Sequence, residues 1–179
     1  MSLRSAARGW GSTSEERAMP FPCDRYVEAP GGVYHRAIDI DAPPPVVFRW
    51  LCQLRAAPYS YDLIDNFGRR SPETLTPGLD ELAAGQRVMS IFELVEFERD
   101  RHITLRLRRP RLLRELAVTY LVGPRGGAGS RLLVKLAVGY RGGRVGSAVA
   151  GTMLPLGDLV MMRRQLLNLK RLSERDAAD

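Results

Sequence analysis

Four extended stretches in a row, closed by one long amphipathic helix, constrain this chain more than any other feature. The stretches are Gln86 to Glu98, His102 to Arg108, Leu113 to Val122 and Ser130 to Tyr140, with turn signals at Glu98 to Arg101, Pro110, and Gly123 to Gly129. Strands joined by such short connections pair as an antiparallel meander. Ile103, Leu105 and Leu107 alternate with Thr104, Arg106 and Arg108, and Leu132, Val134, Leu136 and Val138 oppose Arg131, Leu133, Lys135 and Ala137. Because side chains alternate across a strand, this pattern predicts a sheet with one dry face and one largely wet face. From Pro155 to about Arg175, Leu159, Met162, Leu166 and Leu169 form one helical stripe, flanked by Leu156, Val160 and Leu167. At 1.5 Å per residue that helix is about 30 Å long, comparable with a strand of roughly nine or ten residues. It is the element large enough to cover the dry face.

Upstream, the pattern VYHRAIDI sets Val33, His35 and Ala37 against Tyr34, Arg36 and Ile38, with Ile40 continuing the second set, so Gly32 to Ile40 is read as the first strand. Asp41 and the prolines 43 to 45 open a helix over 44 to 55, on which Val47, Trp50, Leu51 and Leu54 recur at helical spacing. Pro58 to Gly85 reads as a short helix followed by an ordered loop. Residues 1–25, rich in Gly, Ser, Arg and Ala, are expected to be a flexible arm, leaving 26–176 as a single domain. The glycine clusters GPRGGAG and GYRGGRVG lack the features of a phosphate loop and are read as turns.

A chain of 179 residues with 45% hydrophobic content is large enough to bury a core without staples. Cys23 and Cys52 are distant and lack metal-ligand spacing, so neither a disulfide framework nor a zinc site is expected. No apolar run reaches the length of a membrane span, and the expected location is the cytoplasm. The net charge of +7 is carried mainly by arginine, with Lys135 and Lys170 the two lysines. Most of it is scattered. The dense cluster, Arg106, Arg108, Arg109, Arg111 and Arg114, straddles Pro110 and is read first as a solvated hairpin tip.

Strand, two helical segments, meander and long terminal helix make the order of a helix-grip α+β fold. The stretch from Val33 to Glu174 resembles the START-like superfamily, including Bet v 1-like and polyketide cyclase/dehydratase-like proteins. The resemblance lies in IDIDAPPPVVFRWL, in Pro58-Tyr59-Ser60-Tyr61-Asp62 with Asp65-Asn66, in Gly85-Gln86-Arg87-Val88, and in the run from Gly157 to Lys170. It implies a curved antiparallel sheet gripping the C-terminal helix around an apolar cavity. Two histidines and two distant cysteines assemble no metal-binding set, so no metal and no cofactor are expected. The resemblance does not transmit a reaction, since one fold hosts many functions.

Candidate chemistry concentrates in PYSYDLIDNFGRR, residues 58 to 70, which would border the cavity mouth. Tyr61 and Asp62 are read as candidate catalytic groups, and Tyr59, Tyr61, Asn66, Tyr120 and Met162 as ligand contacts. The competing structural reading has the acids capping turns and pairing with Arg69 or Arg70. Glu93 shares a face with Met89, Ile91, Val95 and Phe97, so it is preferred over Glu96 as an inward carboxylate able to serve as acid or base. His102 is expected in an exposed turn, and the face of His35 depends on a register that alternation alone leaves open. The leading function is binding of a hydrophobic small molecule, a polyketide, isoprenoid or lipid, with cyclase/dehydratase activity as its enzymatic form. The alternative is an interaction module that binds anionic membrane or nucleic acid through the arginine hairpin, a partner class the scattered charge disfavours. Homodimerisation is left open.

Overall fold

The computed structural model describes residues 9–60, 70–109, 113–140 and 144–178, with side chains described outside 144–159. A short helix α1 (Ser14–Ala18) and a 3-10 turn (Pro22–Tyr26) precede β1 (Gly32–Ile40). Next come α2 (Pro44–Cys52), a second 3-10 turn (Gln53–Arg55), β2 (Arg87–Val88), β3 (Phe92–Glu98), β4 (His102–Leu107), β5 (Leu113–Arg125), β6 (Gly129–Tyr140) and α3 (Arg144–Ala178). The strands form one antiparallel sheet in the order β1-β6-β5-β4-β3-β2. β1 returns from the start of the domain to pair with β6, from Gly32 opposite Val138 to Ile40 opposite Ser130. This is the helix-grip arrangement. α3 is longer than the apolar stripe suggests, beginning at Arg144 rather than Pro155.

Register decides the faces. Tyr34, Leu136, Val118, Leu105 and Leu94 stand in line across β1, β6, β5, β4 and β3. All are buried in the main core with Trp50, Leu51 and Leu54 around α2 and Leu166, Leu169 and Leu172 of α3. In α2, Pro44 and Pro45 occupy the first turn, where a missing N–H is harmless. Asp41 does not cap this helix: its carboxylate binds Arg125 and its N–H donates to Glu174 Oε1 at 2.8 Å.

The opposite, convex face departs from the expected wet surface. His35, Lys135, Thr119 and Thr104 form a row across β1, β6, β5 and β4, and all four are buried. Their cover is the N-terminal segment. From Gly9 onward, the chain read as a flexible arm is folded onto the sheet: Gly9 and Trp10 bridge in parallel to His35 and Arg36 at the free edge of β1. Phe21, Cys23 and Val27 then form a second apolar cluster with Ala37, Ala117, Leu133 and Ala137. Polar contacts hold the cover in place. Thr13 and Glu16 form a capping box at the start of α1, Glu16 also accepts from Arg131, and Lys135 Nζ pairs with Asp24 at 2.7 Å. Glycine is required at position 11, where φ is +73° and a Cβ would lie 2.0 Å from the Ala37 carbonyl oxygen.

Candidate functional site

On the concave face, polar chemistry gathers around one turn of α3. Tyr120 of β5 is fully buried; its hydroxyl donates to Gln165 Oε1 at 2.7 Å and lies 3.8 Å from Met162 Sδ. Gln165 passes the contact on, its Nε2 donating to the Pro58 carbonyl at 2.6 Å and reaching Met89 Sδ at 3.5 Å. Asn168, almost one turn further, donates to the Tyr59 carbonyl at 2.8 Å. These bonds hold Pro58 and Tyr59 against the helix. Tyr59 has a φ of +55° and sets its ring edge-on to Trp50, with centroids 5.9 Å apart. Beside it, Ser60 Oγ is buried with no hydrogen-bond partner among the described residues.

Two further groups belong to this face. Tyr34 and Tyr140 hydroxyls meet at 2.8 Å, and both tyrosines pack with the main core. Arg36 shares the face of Tyr34 by strand alternation, is 2% exposed, and donates to the His35 carbonyl at 2.8 Å.

Of the residues read from sequence, Tyr59, Tyr120 and Met162 are brought together here. Tyr61, Asp62 and Asn66 lie outside the described residues. Glu93 does not face inward: it stands on the convex side opposite Arg87 and Arg106, with its carboxylate 3.9 Å from the Arg106 guanidinium. The expectation failed because Val95 is a bulge. Phe92 and Leu94 point to the core before it, opposite Leu107 and Leu105, whereas Phe97 pairs with Ile103 after it, so 89 to 97 do not share one face. The two histidines are also convex and buried. Burial and then the nearby Lys135 push His35 down to about 4, and burial lowers His102 against the opposing pull of Glu96 and Glu98. His102 Nε2 is 3.5 Å from Glu96 Oε1, close enough for ion pairing on protonation but not aligned as a hydrogen bond. His102 is therefore no exposed turn residue.

Sequence reading missed Gln165, Asn168, Met89 and Arg36. Gln165 carried a signal, since it falls three residues after Met162 and four before Leu169, on the apolar face of α3. Among the described residues no cluster of three or more His, Cys, Asp or Glu could hold a metal ion. No described helix is long and apolar enough to cross a membrane.

No family model and no curated protein matches the chain. Solved structures do. StfQ, a di-domain ARO/CYC protein from the steffimycin biosynthetic pathway, aligns with a TM-score of 0.53 and 13% identity over 82% of this chain and 52% of its own. The chain thus spans about half the length of StfQ. A Chromobacterium violaceum protein aligns with a TM-score of 0.51 and 13% identity, over 79% of this chain and 96% of its own. A Thermus thermophilus protein gives 0.50 and 13%, over 81% and 99%. At these identities the shared property is architecture. A six-stranded antiparallel sheet packed on a C-terminal helix, in a chain that aligns along most of its length with these structures, identifies the helix-grip α+β fold.

Proposed function

We propose that this protein binds a hydrophobic small molecule, of polyketide, isoprenoid or lipid type, between the concave face of the sheet and α3. The observation that carries this reading is the Tyr120–Gln165 pair set among Met89, Met162 and aliphatic side chains. An apolar wall with a few oriented polar groups is the composition of a small-molecule site. Thioethers adapt to irregular ligand shapes, and the tyrosine hydroxyl offers a donor to a ligand oxygen. The likeness to an ARO/CYC protein supports the polyketide class among the three.

The enzymatic form of this reading is cyclisation and dehydration. Tyr120 would donate to a ketone oxygen and acidify the adjacent carbon, a carboxylate would take that proton, and the enolate carbon would form a bond to a second carbonyl. The new alkoxide would recover a proton, and loss of water with a further α-proton would leave a double bond. Asp62, with Tyr61, is the sequence candidate for the acceptor; Glu93, on the other side of the sheet, is withdrawn from that role. The reading places this work in the cytoplasm without a cofactor.

Native mass spectrometry of gently purified protein, followed by solvent extraction, tests the reading. A stoichiometric apolar molecule is expected. Tyr120→Phe and Gln165→Leu should each weaken its rebinding by about five- to tenfold, the range of one buried hydrogen bond. If no small molecule is extracted and N-phenyl-1-naphthylamine does not bind, the proposal fails.

A further inference from the structure

The arginines of the β4–β5 hairpin, taken alone, read as solvated surface. Their neighbour changes that reading. The Arg108 N–H donates to the Ile91 carbonyl at 3.0 Å, which sets the β2–β3 turn beside the end of β4. Ile91 is 56% exposed there, the most exposed large apolar side chain among the described residues. It is presented by Met89 and Ser90, two consecutive non-glycine residues at φ +46° and +62°. Side chains with a Cβ rarely adopt that conformation, and such outliers gather where a segment has a task. Arg108 beside it, Arg87 on β2, Arg106 and Arg109 at the end of β4 and Arg114 at the start of β5 are all exposed. Glu93 stands 3.9 Å from Arg106 and Glu115 4.0 Å from Arg114, while Arg108 and Arg109 form no ion pair among the described residues.

We propose that this basic end of the sheet, with Ile91 exposed beside Arg108, docks the protein on an anionic phospholipid membrane. Several arginines within one Debye length of a negative surface act together, and a protruding aliphatic side chain adds burial at the headgroup boundary. A single strand of nucleic acid would call instead for aromatic platforms, and the exposed described side chains of the tip are arginine, serine and isoleucine. The same turn serves both sides of the wall, because Met89, two residues from Ile91, touches Gln165. Docking would bring one edge of the concave face to the bilayer.

Flotation of the full chain with vesicles tests the proposal, using phosphatidylcholine alone and an equimolar mixture with phosphatidylglycerol. Binding to the anionic vesicles only, weakening as salt rises, is expected. The double change Arg108→Gln with Arg109→Gln should reduce it about 25-fold at low ionic strength, from the usual contribution of a basic residue near such a surface. Ile91→Ser should reduce it severalfold, and Arg101→Gln, at the far end of β4, should leave it unchanged. All four positions are exposed, and thermal melts check that each variant is folded. Absence of binding, equal binding to neutral vesicles, or the same loss with Arg101→Gln overturns the proposal. Tighter binding to polyuridylate that displaces the vesicles overturns it in favour of nucleic acid. The assay needs no occupant on the concave face, so its failure leaves the proposed ligand untouched.

Discussion

His35 owes its chemistry to the face of β1 on which it stands. Held neutral under Phe21 beside Lys135, Arg17 and Asp24, with Arg36 next in the chain, it has a folded pKa of about 4, against about 6.5 when unfolded. The unfolded chain therefore binds the extra proton first. The contribution of His35 is complete above about pH 6.5 and is lost as pH falls from there through about 4, up to about 3 kcal/mol in all. His102, also lowered, acts in the same direction. Urea denaturation at a series of pH values across that window should show falling stability, and His35→Gln should flatten the slope. A slope unchanged by the substitution would mean that His35 is protonated in the fold.

At the scale of elements, the N-terminal segment does more than follow the domain. It forms a short parallel pairing at the edge of β1, covers the convex row, and meets α3 where the Arg163 guanidinium lies 5.7 Å from the Trp10 ring. An unprotected edge strand invites unwanted pairing, and this one is partly covered. Gly11 sits where that segment crosses closest to β1. Gly11→Ala should lower stability by more than about 2 kcal/mol, because the left-handed backbone and the Ala37 carbonyl both oppose a Cβ. Gly127→Ala, at φ +76° with nothing within 4 Å, should cost about 1 kcal/mol. Equal melting points for the two variants would show that residues 9–11 do not press on β1 in solution.

The whole molecule is a single sheet with a core on each side, and β1, β5 and β6 contribute to both. Shared strands make it hard for one core to melt alone. Trp10, in the N-terminal segment, is half-buried against the main core, while Trp50 is fully buried within it. In Trp50→Phe, where Trp10 is the remaining tryptophan, denaturation followed by fluorescence should coincide with loss of far-ultraviolet circular dichroism. An earlier fluorescence transition would identify the cover as a separately opening unit.

What the sequence by itself determined was local and periodic: the meander, the amphipathic α2, the terminal helix and the resulting helix-grip order. Alternation in β4 and β6 and the Leu159 to Leu169 stripe report hydrophobic period directly, and period follows from backbone geometry. Tyr120 and Met162 were legible as candidates for the same reason, each lying in a patterned element. Tertiary structure decided which set of an alternating strand points inward, since a one-residue shift exchanges the faces and the bulge at Val95 is such a shift. Hence Glu93 turned outward and Arg36 inward. It also decided the fate of residues 9–27, whose weak local pattern carries no period, because their burial depends on Phe21, Cys23 and Val27 meeting strands roughly one hundred residues away.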